Sequence, residues 1–404
     1  MAARQPQPPA AAAPPQLAAS LAAAAGTSWA IVVMGGSSAQ HDDFWQLFAR
    51  PAGSLRWRQV TPSGVADNGG LVAGILGPAS LVTGFRPSQD LAFSPLATTA
   101  DSGAAWSSGS PVSPGLADVP DALAAAPDGE LIALTQGGGA QLGSRLGAAW
   151  ARLASAQSLA RAAAGRACGL TGLTAAAFGS SSGSAGSSGS ASSSGSASTA
   201  GPGAAGVPLL AGGCDRPGIA GIFALRDGSW QLSGPPMPTA LAGRNLDVLR
   251  MATIGARTQA LLQAGTGSAA AVLAAWSGDG GRHWLLSAPL PIGAATVRSA
   301  SFGPGGAVGL VLGHGGGQGQ GVGDGEMLAG PGASWQALAA LPKWTATLAV
   351  GPAGRIDALT AHASSFADWR LSAGTGTGTA TGAGTGTWRQ VQALRITIPY
   401  GSSG

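Results

Sequence analysis

Seven tryptophans recur along this chain of 404 residues at intervals of about fifty. Successive gaps are 49, 44, 80, 54, 51 and 53 residues, and the long gap contains a Ser/Gly tract at 180–206. Without the 27 residues of that tract the gap is 53, which restores the period. The tryptophans are Trp57, Trp106, Trp150, Trp230, Trp284, Trp335 and Trp388. A period near fifty with several short strands per unit predicts an all-β, seven-bladed β-propeller of four-stranded antiparallel blades.

The composition of the chain limits the classes of binding partner that we expect. Only 9% of the residues are charged, the net charge is +4, and 68 Gly and 27 Pro favour turns over long helices. A weak positive charge without a basic cluster does not indicate a nucleic-acid partner. No stretch reaches the roughly 18 apolar residues of a membrane span. We therefore expect neither a nucleic-acid nor a membrane-spanning role.

The first 26 residues are rich in Pro and Ala. We predict that 1–26 is a disordered N-terminus and that 27–404 is a single propeller, with 180–206 as a flexible surface insert. A signal peptide is poorly formed, because prolines interrupt the apolar region. These prolines are Pro8, Pro9, Pro14 and Pro15. We expect the true start to lie upstream.

Two cysteines bear on the compartment. Cys168 precedes an apolar strand at Leu170–Phe178, and Cys214 ends another at Val207–Gly213. If these strands pair antiparallel, the cysteines lie opposite each other and can form a disulfide that closes the insert. Two unpaired buried thiols are the alternative. Because disulfides belong to oxidising compartments, we expect a secreted or cell-envelope protein.

The clearest repeat runs from Val248 to Leu286, as four short apolar runs separated by turns, which we name strands A to D. Between C and D stands Ser277-Gly-Asp279-Gly-Gly281-Arg-His-Trp284, and Thr99-Ala-Asp101-Ser-Gly103-Ala-Ala-Trp106 repeats the pattern. This pattern resembles the Asp-box, Ser/Thr-x-Asp-x-Gly-x-x-Trp, of sialidase-like (BNR-repeat) propellers. We interpret both boxes as structural: the carboxylate accepts N–H bonds of its own turn, and the Gly permits positive φ.

In a propeller the B–C and D–A loops share one face, opposite the A–B and C–D turns. The repeat places several polar residues on that B–C face, and we take them as candidate ligand-binding residues. They are His41, Asp42 and Asp43, Arg86 and Asp90, His314, and His362. His with carboxylates is the donor set of a metal or acid/base site. Loop residues are nevertheless usually solvated, so we assign no metal and no cofactor.

The resemblance to sialidases implies three arginines, a Tyr nucleophile with its Glu partner, and an Asp acid/base. Phe85-Arg86-Pro87 only partly matches their arginine motif, and Tyr400, Glu130 and Glu326 are not placed for such a set. We therefore favour a non-catalytic binding or scaffolding module, expected to be monomeric, with a protein or carbohydrate ligand. The alternative is a glycoside-directed hydrolase or a lectin that uses the B–C face. A channel lined by Ala, Gly and Ser favours the first hypothesis, and converging Arg and carboxylate side chains favour the enzyme.

Overall fold

The computed structural model describes eleven stretches of the chain, and these form antiparallel strands almost throughout. The described residues are 19–22, 25–35, 43–62, 71–85, 96–108, 120–135, 139–144, 150–180, 206–314, 323–372 and 386–396. The expected all-β propeller fold is confirmed. Within these stretches the strands pair as seven successive four-stranded meanders, while the blade count of the complete ring stays a prediction.

The first three meanders precede the two helices. The first comprises β1 (Ala19–Ala22), β2 (Ser28–Gly35), β3 (Asp43–Arg50) and β4 (Arg58–Gln59). The second comprises β5 (Leu71–Ile75), β6 (Leu81–Phe85), β7 (Leu96–Thr99) and β8 (Ser107–Ser108). The third comprises β9 (Ala122–Ala125), β10 (Glu130–Thr135), β11 (Gly139–Ser144) and β12 (Trp150–Ser155). Two short helices follow, α1 (Ala156–Arg161) and α2 (Ala163–Cys168).

The remaining four meanders complete the described chain. The fourth comprises β13 (Leu170–Gly179), β14 (Val207–Cys214), β15 (Gly221–Arg226) and β16 (Ser229–Leu232). The fifth comprises β17 (Leu246–Ile254), β18 (Arg257–Ala264), β19 (Ala271–Ser277) and β20 (Leu285–Leu286), with β21 (Leu290–Pro291) also paired to β19. The sixth comprises β22 (Thr296–Phe302), β23 (Val308–Gly313), β24 (Asp324–Leu328) and β25 (Gln336–Ala337). The seventh comprises β26 (Thr345–Val350), β27 (Ile356–His362), β28 (Ser365–Ser372) and β29 (Thr387–Arg395).

The seven periodic tryptophans occupy equivalent places, because each lies at the start of the fourth strand of its meander or immediately before it. The repeat predicts that these rings are mostly buried; Trp57 is buried, and the other six are half-buried. The indoles of Trp284, Trp335 and Trp388 donate to Ser233 O, Ala288 O and Ala339 O at 2.6, 2.9 and 3.2 Å. Each acceptor follows the fourth strand of the preceding meander. These rings therefore join neighbouring blades by one edge and leave the rest of the ring partly exposed.

The innermost strands of five meanders converge on small apolar side chains. A residual cavity of about 20 Å³ at this convergence is lined by residues of β1, β5, β9, β13 and β17. The lining residues are Leu21, Ala73, Gly74, Ile75, Leu123, Ala124, Ala125, Ala176, Ala252 and Thr253. Small Ala and Gly side chains let the backbones approach closely, and the larger Leu21, Ile75 and Leu123 occupy part of the space between them. The interior at this convergence is consequently closed and apolar.

Two expectations about the chain ends are corrected. Ala19–Ala22 forms β1, paired with β2 over four residues, so part of the segment expected to be disordered belongs to the first meander. The first repeat, read from Trp29, is one strand short, and the sequence predicts that Leu394–Tyr400 supplies it. That prediction is wrong, because β1 takes this place and Leu394 belongs to β29 of the seventh meander, while 397–400 lie outside the described residues. The C-terminal strand still meets the first meander through side chains. Gln392 accepts from Trp57 N at 2.8 Å and donates to Trp57 O at 2.7 Å.

The predicted disulfide between Cys168 and Cys214 is present, with the two Cα atoms 5.3 Å apart. β13 and β14 pair antiparallel with Leu170 opposite Cys214, as expected. The helices were not foreseen: Cys168 ends α2, and Gly169 (φ 68°) turns the chain from the helix into β13. The centre of the Ser/Gly insert, 181–205, lies outside the described residues.

Candidate functional site

The two Asp-containing turns have the same hydrogen-bond pattern. In the turn after β7, Asp101 Oδ1 accepts the backbone N–H groups of Ala104 and Ala105 at 2.8 and 3.0 Å. The Thr99 hydroxyl donates to the same oxygen at 2.8 Å and accepts from Gly103 N at 2.9 Å. A φ of 84° at Gly103 is the left-handed conformation that glycine adopts without steric cost. The carboxylate thus organises its own turn.

The turn after β19 repeats this arrangement residue for residue. Asp279 Oδ1 accepts from Arg282 N at 3.0 Å and His283 N at 2.9 Å, and Ser277 Oγ donates to it at 2.9 Å. Burial raises the pKa of Asp279, but the hydrogen bonds from His283 and Ser277 outweigh it and lower the pKa to about 2. A carboxylate so engaged is a turn element rather than a free acid or base.

Most of the predicted B–C loop residues cannot be placed. His41, Asp42, Arg86 and Asp90 lie outside the described residues, and of Asp43 only the backbone at the start of β3 is described. His314 and His362 are described, the first directly after β23 and the second at the end of β27. Both therefore lie at the B–C ends of neighbouring meanders.

The two described histidines contact different groups. His314 Nε2 lies 2.6 Å from Asp324 Oδ2 in an exposed pair across the base of its loop. The His362 ring instead stacks on Trp344, with ring centroids 4.1 Å apart and an interplanar angle of 12°. Among the described residues, no group of three or more His, Cys, Asp or Glu side chains is arranged to hold a metal ion.

An aromatic pocket of about 420 Å³ surrounds His362 in the seventh meander. One wall is the connection from β25 to β26, and the other walls are β27, β28 and the start of β29. The lining residues are Ala340, Pro342, Lys343, Trp344, Thr360, His362, Ser365, Phe366, Ala367, Trp369 and Trp388. The volume is in the range of small-ligand sites. Its lining includes His362 at the B–C end of β27 and Trp388 near the C–D end of β29.

Trp344 is the most unusual residue of the pocket. Its φ of 67° is in the left-handed region, which a bulky side chain rarely adopts and which costs on the order of 1–3 kcal/mol. The ring is held by His362 on one side, and Lys343 Nζ lies 4.9 Å from the ring centroid. Lys343 is the only lysine of the chain. Backbone strain that orients an aromatic ring at a pocket is a feature of ligand sites.

The inner part of the pocket is fixed by hydrogen bonds within the fold. The Trp369 indole donates to Thr360 Oγ1 at 3.3 Å, and that hydroxyl donates onward to Ala367 O at 3.4 Å. The Trp388 indole donates to Ala339 O at 3.2 Å. Phe366 is buried and stacks on Phe48 of the first meander, with centroids 4.0 Å apart. The pocket therefore offers rigid ring faces, and no Asp or Glu is among its lining residues.

The prediction from the sequence missed this pocket because it relied on histidines and carboxylates as candidate site residues. Trp344 and Trp369 fall outside the fifty-residue period and carry no motif. Two features of the sequence could have indicated the pocket. One is the single lysine, Lys343, and the other is the pair of tryptophans, Trp344 and Trp369, that the last repeat has beyond its periodic Trp388. Only His362 was among the predicted residues.

The glutamates that a glycosidase would need lie apart. Glu130 starts β10 in the third meander, and Glu326 lies within β24 in the sixth. Burial raises the pKa of both, with Asp128 adding to the effect at Glu130 and Asp324 at Glu326. The pKa shift of each glutamate thus has a local cause. Tyr400 lies outside the described residues. These two glutamates therefore do not form the carboxylate pair that glycoside hydrolysis uses.

A buried ionic cluster joins the first and seventh meanders. Asp357, fully buried in β27, accepts from Arg50, from Arg355 Nε at 3.1 Å and from Arg370 Nε at 3.0 Å. Arg50 is itself 3% exposed. Because the buried Arg50 and Asp357 belong to β3 and β27, the cluster is a contact between the first and seventh meanders.

Comparisons with known proteins agree with the fold. The chain is similar to the crystal structure of a Bacteroides uniformis protein proposed to be a 6-phosphogluconolactonase. The TM-score is 0.50, with 10% identity over 91% of this chain and 96% of that chain. It is also similar to the β-propeller domain of the Trilobed protease from Pyrococcus furiosus, with a TM-score of 0.44 and 8% identity over 93% and 97% of the two chains. At 10% identity the first of these likenesses shows the fold alone.

Sequence comparisons add no family. No protein-family model matches the chain, and no curated protein matches it. Separately, none of the helices that the structure describes has the length and apolar composition needed to cross a membrane.

Proposed function

We propose that this chain is an exported, sialidase-like propeller that binds a protein or carbohydrate ligand without catalysing its conversion. The aromatic pocket of the seventh meander, centred on Trp344, is its ligand site. The observation that supports this proposal most is Trp344 at a pocket of about 420 Å³: its backbone is strained and its ring stacks on His362. Ring faces held in place before binding lower the entropic cost of capturing a ligand.

The closed apolar interior supports binding over catalysis. Propeller enzymes that work on the central channel need polar side chains converging there, whereas the cavity at the convergence of the innermost strands is lined by Ala, Gly, Leu, Ile and one Thr. Glycoside hydrolysis would also need a pair of carboxyl groups at the ligand, and no Asp or Glu is among the lining residues of the aromatic pocket.

The sialidase-like part of the proposal is supported by the two Asp turns, which share one hydrogen-bond pattern at the same place in the second and fifth meanders. Export is supported by the Cys168–Cys214 disulfide, since disulfides persist in oxidising compartments. We also propose that the protein is monomeric and has no nucleic-acid partner. The alternative is a glycoside-directed hydrolase or lectin on the same face, for which the pocket serves as a sugar-stacking platform.

The test is a binding screen of the purified protein against oligosaccharides and peptides, by isothermal titration calorimetry on each hit. We expect Trp344→Ala to weaken binding by at least about tenfold, the loss of one aromatic contact. Trp335→Ala, which removes a half-buried tryptophan outside the pocket, should leave the affinity unchanged. Equal affinity of the Trp344→Ala variant would contradict the assigned site, and turnover of fluorogenic glycosides would favour the hydrolase.

A further inference from the structure

The exposure of its lining residues shows where the aromatic pocket reaches the surface. Lys343, His362 and Ser365 are exposed, whereas Thr360 and Phe366 are buried. The three exposed residues therefore form the rim of the pocket, and the two buried ones lie at its inner end. A ligand that enters the pocket meets the polar side chains of this rim first.

Strand pairing adds a second cation, Arg395, beside this rim. His362 pairs with Ser365 across β27 and β28, and Ser365 pairs with Arg395 across β28 and β29. Because directly opposite residues of antiparallel strands project from the same face of a sheet, these three side chains form one row. Neighbouring strands are about 4.8 Å apart, which places Arg395 roughly 10 Å from His362. Arg395 is exposed like the rim residues.

The charges at the rim are positive and are not balanced by carboxylates within the described part of the chain. Neither Lys343 nor Arg395 forms an ion pair there. The two described carboxylates of the seventh meander, Asp357 and Asp368, are fully buried. They belong to the ionic cluster with Arg50, on the side of the first meander. The rim therefore favours a ligand that carries negative charge.

We propose that the pocket binds an acidic stretch of polypeptide, with an apolar side chain inside the pocket and flanking carboxylates at Lys343 and Arg395. This inference rests on the proposed function, since it names the class of ligand for the same pocket. The apolar side chain packs among the aromatic walls, and the two cations attract the carboxylates. In an extended chain alternate side chains recur on one side every 6–7 Å or so, roughly, which suits cations set apart along a rim. A single acidic sugar has one carboxylate and would reach only one of them.

The test measures the binding of two dye-labelled synthetic peptides to the full-length protein by fluorescence anisotropy. Each peptide has a central Phe and an amidated C-terminus, and the Phe is flanked on both sides by a pair of Glu in one peptide and a pair of Lys in the other. We expect the wild type to bind the Glu peptide at least about tenfold more tightly than the Lys peptide. Lys343→Glu/Arg395→Glu should reverse this preference, because both rim charges change sign.

The matched control is Arg56→Glu/Arg216→Glu. Both arginines are exposed and neither lines the pocket, so this variant has the same net charge as the rim variant and an unchanged rim. It should keep the preference for the Glu peptide. Lys343→Gln/Arg395→Gln adds no new charge and should bind the two peptides equally, which tests the same rim independently of charge reversal.

Three results would overturn the inference: an unchanged preference in the rim variants, an equal reversal in the control, or no binding of the Glu peptide by the wild type. Tetragalacturonate is tested beside the peptides. If it binds in a rim-dependent way and the Glu peptide does not, the ligand is an acidic glycan and the polypeptide assignment fails. If the Glu peptide does not bind but a ligand from the binding screen still binds in a Trp344-dependent way, the proposed function stands while this inference fails.

Discussion

Asp279 illustrates how one side chain holds the turn between two strands of one blade, β19 and β20. Its carboxylate accepts two backbone N–H groups and a hydroxyl. We predict that Asp279→Ala destabilises the protein by about 1–2 kcal/mol, because these donors lose a charged acceptor. The lowered pKa means that this stabilisation is full above about pH 4 and is lost as the pH falls towards 2. Urea unfolding at pH 7 and pH 3 measures both effects, and Asp215→Ala, at an exposed carboxylate, is the control.

The pKa of a second carboxyl, Asp368, is raised rather than lowered. It is fully buried in β28, and neither carboxylate oxygen has a hydrogen-bond partner among the described residues. Burial and the neighbouring Asp357 raise its pKa to about 7, against the attraction of Arg50, Arg370 and Arg355. The folded state therefore holds a proton between about pH 4 and 7 that the unfolded state has released, so stability falls as the pH rises through this window.

We predict that Asp368→Asn removes this dependence and stabilises the protein at pH 8, on the order of 3 kcal/mol. The gain should shrink as the pH falls towards 4, where the folded wild-type carboxyl is protonated and the unfolded one begins to take up its proton. Chemical unfolding across pH 4–8 measures it. Asp324→Asn, at an exposed carboxylate, should not reproduce the profile, and a pH-independent difference between wild type and Asp368→Asn would contradict the titration.

At the scale of elements, the disulfide ties α2 to the end of β14. It spans a sequence separation of 46 that includes the Ser/Gly insert. We predict that Cys168→Ala/Cys214→Ala lowers the free energy of unfolding by about 3–4 kcal/mol, chiefly by relaxing the unfolded chain. Denaturant unfolding of the oxidised protein, the reduced protein and the variant measures it. Reduction should destabilise the wild type and leave the variant unchanged; an equal effect on both would show that the crosslink is not the cause.

At the scale of the whole molecule, β1 fills the meeting point of the innermost strands. Leu21 contacts the cavity lined by β5, β9, β13 and β17. We predict that Leu21→Ala costs about 2–4 kcal/mol, because it enlarges a cavity that several blades cannot close together. Thermal unfolding measures the loss, with Leu55→Ala, at a leucine 65% exposed, as the control. If Leu21→Ala unfolded at the same temperature as Leu55→Ala, β1 would not be needed for the stability of the ring.

Much of the architecture could be predicted because it repeats. Strand length, turn chemistry and one tryptophan per unit are local properties, so a period of fifty residues predicts the meanders and places Trp284 at the start of a fourth strand. The pairing of Cys168 with Cys214 followed from the same local reading, since strands joined by a turn lie side by side. The two Asp turns were readable because every bond that forms them lies within five residues.

Contacts between distant parts of the chain were decided only by the tertiary structure. Nothing in the residues around Ala19 shows that they complete the first meander, since that strand is held by β2, Phe302 and Leu348. Asp368 has its raised pKa because folding buries it beside Asp357. The pocket likewise needs the β25–β26 connection to set Trp344 against His362. The sequence by itself determined the repeating unit, because its bonds are local; the tertiary structure alone decided the closure and the pocket, because burial and stacking depend on which distant residues meet.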